Sequence, residues 1–246
     1  MIPKIIHYCW LSGDAYPKEI ARCLESWKKP LAGYEIWLWD FNRFDKGASR
    51  WVSEAFDNRK YAFAADYIRA YALYHHGGIY LDSDVEVLKP YDAFLDRPYM
   101  IGLDGGPDGD LEAACMGAEK GHPLFARLLE YYDSRSFVKS DGTFDAIPMP
   151  VVMKRIVGES YDVVHIDSPD EFDSDPAKLC VYPADYFSPI DLRTMELKKT
   201  QRTVSIHRLA ASWESSSHRF RKRVQRLLGS RITSVIIRVK DFFRGR

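Results

Sequence analysis

Short apolar runs alternate along the chain with longer amphipathic stretches, the pattern of strands and helices taken in turn. Ile5 to Cys9 predicts a first strand, Pro17 to Lys28 a helix opened by its proline, and Tyr34 to Leu38 a second strand. Lys60 to Tyr74 is rich in alanine and lacks glycine and proline, so it predicts a helix; His76-Gly77-Gly78 is its stop, because glycine tolerates positive φ. Ile79-Tyr80-Leu81 follows as a wholly apolar run of the buried-strand type. Val85 to Leu88, Met100 to Leu103 and Ala113 to Gly117 predict further extended segments, the last two around a glycine-rich loop at 104 to 110. Pro123 to Asp133 predicts a helix. Residues 134 to 200 are less regular, with strands expected at Val163 to Ile166 and Cys180 to Tyr182, and Thr203 to His207 predicts a last strand before a loop at Leu209 to Ser212. Such alternation calls for an α/β fold, a mostly parallel sheet flanked by helices.

The chemistry sits where the apolar run 79 to 81 ends. Asp82-Ser83-Asp84 places two carboxylates there, and in open α/β sheets ligands bind at the carboxyl ends of strands. Hard oxygen ligands suit Mg2+ or Mn2+, which in turn suit diphosphates, so a nucleotide-linked substrate is expected. An isolated Asp-x-Asp is common in surface turns. Here it follows a helix, two glycines and a buried strand, and two nearby carboxylates repel unless a cation joins them. Asp66 and Arg69, three apart, share a face of the preceding helix among alanines and aromatics, which predicts a buried pair instead of a solvated one.

Composition narrows the classes. The 246 residues are 46% hydrophobic and 14% aromatic, enough for one large core. Met1-Ile2-Pro3-Lys4 leads directly into a strand with no secretory pattern, and no run approaches a membrane span, so a cytoplasmic location is expected. Cys9, Cys23, Cys115 and Cys180 are scattered without a Cys-x-x-Cys pair, as expected for reduced, buried thiols. The net charge of zero hides an asymmetry: from His218 to Arg246 ten Lys or Arg residues face Asp241 alone, leaving +9 on that segment and −9 on the rest. Within it Val224, Leu227, Leu228, Ile232, Val235, Val239 and Phe242 recur at helical spacing. A basic amphipathic tail, 214 to 246, is therefore expected to lie on an anionic membrane surface, at the inner face of the plasma membrane, or to dock its apolar stripe on the protein. Nucleic acid is not an expected partner, because the body is acidic and carries no interleaved aromatic platform.

The chain resembles glycosyltransferase family 32, whose members carry an Asp-x-Asp motif and include capsular-polysaccharide enzymes and yeast-type initiating mannosyltransferases; the large clostridial glucosylating toxins are more distantly similar. Beyond 66 to 86, the resemblance rests on Ile2 to Trp10, Cys23 to Lys28, Tyr34 to Ile36, Met116 to Pro123, Ile206-His207 and Ser212-Trp213, covering about residues 1 to 213 as one catalytic domain. It implies the A-type glycosyltransferase fold and transfer of a hexose, with retention, to a glycan or lipid-linked acceptor in polysaccharide synthesis. Of the donors, a uridine-diphosphate hexose is expected ahead of guanosine-diphosphate mannose. By resemblance Asp84 coordinates the metal, Asp82 bridges metal, ribose and sugar, and His207 is a C-terminal metal or diphosphate contact, although a lone strand histidine is more often a core group. Asp66 and Arg69 resemble the pair that grips donor-sugar hydroxyls. Trp10 resembles the aromatic that stacks on the nucleobase, with a plain core tryptophan as the other reading. Tyr80 and Trp213 are expected donor contacts. Arg208 stands where relatives often carry a second histidine, and an arginine can neutralise a diphosphate. Two rivals are an Asp-x-Asp phosphatase or phosphotransferase, disfavoured by Glu86 at the fifth position, and a catalytically inactive glycan-binding relative, disfavoured by the intact Asp66, Arg69, Asp82 and Asp84.

Overall fold

The structure, a computed structural model, describes residues 1–106 and 109–210; the tail at 214–246 and Trp213 lie outside the described residues. Within them a five-stranded sheet is built from β1 (Ile5–Cys9), β2 (Glu35–Trp39), β3 (Gly78–Leu81), β5 (Tyr99–Met100) and β6 (Cys115–Ala118) in the order β2-β1-β3-β6-β5. β1 is parallel to β2 and to β3, while β6 runs antiparallel to both β3 and β5. One strand thus opposes the other four, a mixed but mostly parallel α/β sheet. Every residue of β3 and β6 is buried, as wholly apolar central strands must be.

The helices are α1 (Lys18–Trp27), α2 (Arg50–Asp57), α3 (Tyr61–His76), α4 (Pro123–Asp133) and α5 (Met149–Ser160). α3 packs against β1, β3 and β6 and also touches α2 and α4, so nine of its residues, Asp66 and Arg69 among them, are buried. Neither α2 nor α5 was expected. α2 is short and amphipathic, capped by Ser49, whose hydroxyl accepts the Val52 N–H. α5 hides its start behind Pro148 and Pro150, which read as loop residues but are tolerated in a first helical turn, where no N–H partner is required. The expected strand at Met100 to Leu103 pairs regularly only at Tyr99–Met100, and Gly102 and Leu103 continue as isolated bridges.

Two small ribbons flank the sheet. β7 (Asp162–His165) pairs in parallel with β8 (Lys178–Val181). β4 (Val85–Val87) leaves the main sheet after the Asp82 to Asp84 turn and pairs antiparallel with β9 (Ser205–His207), in a register that sets Val85 opposite His207. α1 holds this ribbon in place: Trp27 Nε1 donates to the Val85 carbonyl at 2.7 Å and Ser26 Oγ accepts the Val87 N–H at 2.9 Å.

The passage from α3 to β3 depends on two glycines. Gly77 has φ +67° and Gly78 φ +103°, and a Cβ on Gly78 would meet the Ile5 carbonyl at 2.6 Å and His7 Nε2 at 2.9 Å. The buried His7 ring closes this corner: Nε2 donates to the Gly77 carbonyl at 2.7 Å and Nδ1 accepts Trp39 Nε1–H at 3.0 Å, so one neutral tautomer serves both partners. Burial pushes the His7 pKa down from 6.5 to about 4, against the pull of the Gly77 carbonyl. The folded state thus binds fewer protons than the unfolded chain, and stability present above pH 6.5 is lost as the pH falls through about 4. Glutamine at this position can donate one amide N–H and accept with its oxygen without titrating. The His7→Gln protein is expected to lose about 3 kcal/mol less stability than the native chain between neutral pH and pH ~4, read from urea midpoints across that window.

Candidate active site

β1 and β3 run side by side, with His7 opposite Tyr80, so their carboxyl ends open at the same edge of the sheet. Asp82 lies just past β3. Its N–H donates to the Ala114 carbonyl at 2.8 Å and its carbonyl accepts the Val85 N–H at 3.0 Å, closing a tight turn that turns Asp84 toward the β4–β9 ribbon. There Asp84 meets His207: Nε2 stands 3.6 Å from Asp84 Oδ1, and Asp84 Oδ2 accepts the Ala210 N–H at 2.8 Å. Asp82, Asp84 and His207 each offer a ligand atom, and these atoms lie within 4.8 Å of one another.

A second cluster adjoins the first. Arg69 reaches from α3 to Asp66 and Asp82, with Nη2 at 3.2 Å from each, while Nη1 donates to the Ala113 carbonyl at 2.8 Å. Its guanidinium lies 4.7 Å from the centre of the Tyr80 ring, and the Tyr80 hydroxyl donates to Asp82 Oδ1 at 2.9 Å. Asp66 and Arg69 are all but sealed, whereas Asp82 keeps 28% of its side chain exposed and so presents the face a ligand can reach. Tyr80 is fully buried, and its effect on the site passes through Asp82.

Charge at this edge is unbalanced. Burial drives Asp66 up to about 7 although Arg69 pulls it down, and Asp82 is raised by burial and by Asp84 against the pull of Arg69. Burial also opposes ionisation of Asp84, but His207 and the Ala210 N–H hold its carboxyl below the usual range. Burial alone would lower His207; Glu112 and Asp84 together raise it well above an ordinary histidine. Four carboxylates, Asp66, Asp82, Asp84 and Glu112, thus face one guanidinium and one imidazole. The donor set fits a hard divalent cation of the Mg2+ or Mn2+ kind, with carboxylate oxygens and one imidazole nitrogen, and such an ion would displace the proton on His207.

Glu112 is the residue that sequence reading missed. It is buried, its Oε2 lies 3.3 Å from His207 Nδ1 and its Oε1 accepts the Ala114 N–H at 2.7 Å. A single charge inside the run Leu111-Glu112-Ala113-Ala114-Cys115-Met116 was the available signal. Arg208 is engaged elsewhere: its guanidinium pairs with Glu86, Nε donating at 2.6 Å.

Trp10 directly follows β1, half-buried, with its Nε1 donating to the Asp14 carbonyl at 2.7 Å and its ring 4.9 Å from that of Tyr16. It lines a cavity of about 500 Å³ with Tyr16, Leu38, Asp40, Phe41 and Asn42.

The described domain is thus an α/β unit with an Asp-x-Asp pair and a histidine gathered past the end of β3. Residues 17–100 match the family described as "Glycosyltransferase sugar-binding region containing DXD motif". A glycosyltransferase of Acanthamoeba polyphaga mimivirus, itself named as uncharacterized, is 36% identical over 157 residues, 58% of this chain and 62% of that protein. The mannosyl phosphorylinositol ceramide synthase SUR1 of Saccharomyces cerevisiae is 29% identical over 56% of this chain and 37% of its own length. Inositol phosphoceramide mannosyltransferase 3 of Schizosaccharomyces pombe is 31% identical over 52% of this chain and 36% of its own length. The chain therefore spans less than two thirds of each of these relatives. Among solved structures, a glycosyltransferase involved in glycosylation of the major capsid of PBCV-1 is similar at 14% identity and a TM-score of 0.47, over 91% of this chain and 100% of that one.

Removing the guanidinium strands the buried Asp66 carboxylate, the half-buried Asp82 and a carbonyl, so Arg69→Ala is expected to cost about 3 kcal/mol in chemical denaturation. Asp66→Asn should cost far less, on the order of 1 kcal/mol, because an acid held near 7 is already close to half-protonated at neutral pH.

Proposed function

We propose that the chain is a divalent-metal-dependent glycosyltransferase that moves a hexose from a nucleoside-diphosphate sugar to a hydroxyl of a glycan or lipid-linked acceptor. The observation that carries this reading is the convergence of Asp82, Asp84 and His207 at an edge whose carboxylates outnumber its cations. A dianionic diphosphate would be repelled there without added positive charge, and a bound Mn2+ or Mg2+ supplies it, as a Lewis acid that stabilises the departing phosphate. Asp84 and His207 would hold the ion. Asp82, exposed on one side and fixed on the other by Arg69 and Tyr80, would bridge ion and donor. Trp10 and its neighbouring cavity offer a flat ring and polar groups suited to a nucleobase.

Retention, which the resemblance implies, would proceed by front-face attack, and the way the carboxylates are held supports that route over a covalent one. Asp66 and Asp82 are bound to Arg69, Asp84 to His207 and the Ala210 N–H, and Glu112 to His207 and the Ala114 N–H. Each of these four is engaged by at least one cation or N–H, which argues against a carboxylate nucleophile, and the departing phosphate would take the acceptor proton. Relatives named for mannosyl transfer to inositol phosphoceramide support a mannosyl donor and a lipid-borne acceptor, so guanosine-diphosphate mannose joins the uridine-diphosphate hexoses favoured by the sequence. Capsular or related polysaccharide assembly at the inner face of the plasma membrane is the setting proposed, with the basic segment 214–246 as the membrane contact. No helix among the described residues is long and apolar enough to cross a membrane.

Incubation with a panel of uridine- and guanosine-diphosphate sugars and Mn2+ should release nucleotide slowly from one donor, and Asp84→Ala should cut that rate by at least about 100-fold. No release from any donor, with metal-independent glycan binding, would refute the transferase reading in favour of a glycan-binding protein. For the tail, the full chain should co-sediment with anionic vesicles at low salt and much less at high salt, and a chain ending at Ser216 should stay in solution.

A further inference from the structure

Glu112 has a place in the site that the transferase reading does not use. The segment 112–114 threads between both clusters, and each of its residues touches one of the site groups: Glu112 meets His207, the Ala113 carbonyl accepts from Arg69 and the Ala114 carbonyl accepts from Asp82 N–H. The segment is itself pinned, because the Glu112 N–H donates to the Gly102 carbonyl at 2.8 Å. Glu112 is 4% exposed, so its carboxylate is fixed in place and not a solvated surface charge. The two imidazole nitrogens of His207 then face different partners, Nδ1 toward Glu112 at 3.3 Å and Nε2 toward Asp84 at 3.6 Å.

An imidazole can bind a cation only through a nitrogen that carries no proton, and its other nitrogen then keeps the proton. A carboxylate can only accept. We infer that Glu112 is a positioning residue that holds the proton of His207 on Nδ1, leaving the Nε2 lone pair aimed at the space bounded by Asp82 and Asp84. It acts through the histidine and touches neither metal nor donor. This inference rests on the reading of His207 as a metal ligand.

Glutamine tests it, because the isosteric amide has one acceptor and one donor end. With its oxygen retained by the Ala114 N–H, its NH2 faces His207 Nδ1 and drives the proton onto Nε2, blocking the ligand position. Mn2+ titrated alone into the full chain by calorimetry should bind Glu112→Gln about 10–100-fold more weakly than the native protein, as is usual when such an outer partner is lost. Thermal unfolding in chelator should be little changed. His207→Ala should weaken Mn2+ binding as well, and adding Glu112→Gln to it should weaken it no further, since Glu112 works only through that ring. Native-strength binding by Glu112→Gln beside weakened binding by His207→Ala overturns the positioning role and leaves the transferase reading intact. Native-strength binding by His207→Ala overturns the ligand assignment itself. A measurement that needs no variant to fold is the long-range 1H–15N spectrum of the native chain loaded with Zn2+ as a diamagnetic probe. It should show His207 protonated at Nδ1 with Nε2 bound; the reverse tautomer sinks the inference.

Discussion

A guanidinium sealed inside a protein must be surrounded by acceptors, and this requirement organises the molecule around Arg69. Its two terminal nitrogens are met by Asp66 from its own helix, Asp82 from the exit of β3 and the Ala113 carbonyl from the segment entering β6, while its buried Nε has no hydrogen-bond partner. Three pieces of chain far apart in sequence are thereby tied at one point. Losing the guanidinium would leave its carboxylate partners uncompensated, which costs several kcal/mol, so Arg69 fixes the geometry at the edge of the sheet before any ligand arrives. The Tyr80 ring beneath the guanidinium, with its hydroxyl on Asp82, completes the clamp.

The same arrangement leaves the site short of positive charge. Arg69 is shared between two carboxylates, and Arg208 is committed to Glu86. What remains is a set of oxygen donors and one imidazole held closer together than anions tolerate in isolation, a standing demand for a cation. The proposed chemistry follows from that demand: positive charge is recruited with the donor, and the carboxylates hold it where the diphosphate leaves. The acidic body and the basic tail repeat the theme at larger scale, since segment 214–246 offsets the charge of the rest.

How much was legible in advance depended on how local the cause was. β1 and α4 form over the expected residues, and α3 stops where glycine was expected to stop it, because an apolar run, a proline start and an αCβ-free turn are properties of neighbouring residues. α5 was hidden because its prolines signal loop and helix start alike. Val85 to Val87 was readable as extended, but nothing within it says that it leaves the main sheet and takes β9 as partner. Glu112 escaped for a related reason: a charge in an apolar run announces burial, yet its partner His207 is 95 residues away.

The sequence by itself determined the alternation of elements, the buried helix pair Asp66 and Arg69, and the placement of Asp82 and Asp84 just past a central strand, since periodicity and glycine chemistry act over a few residues. Tertiary structure alone decided that Arg69 reaches both aspartates 66 and 82, that the β4–β9 register sets His207 beside Asp84, and that Glu112 backs the histidine. These are pairings across long loops, and such pairings are selected by the packing of the whole sheet and its ribbon, which no local window of residues encodes.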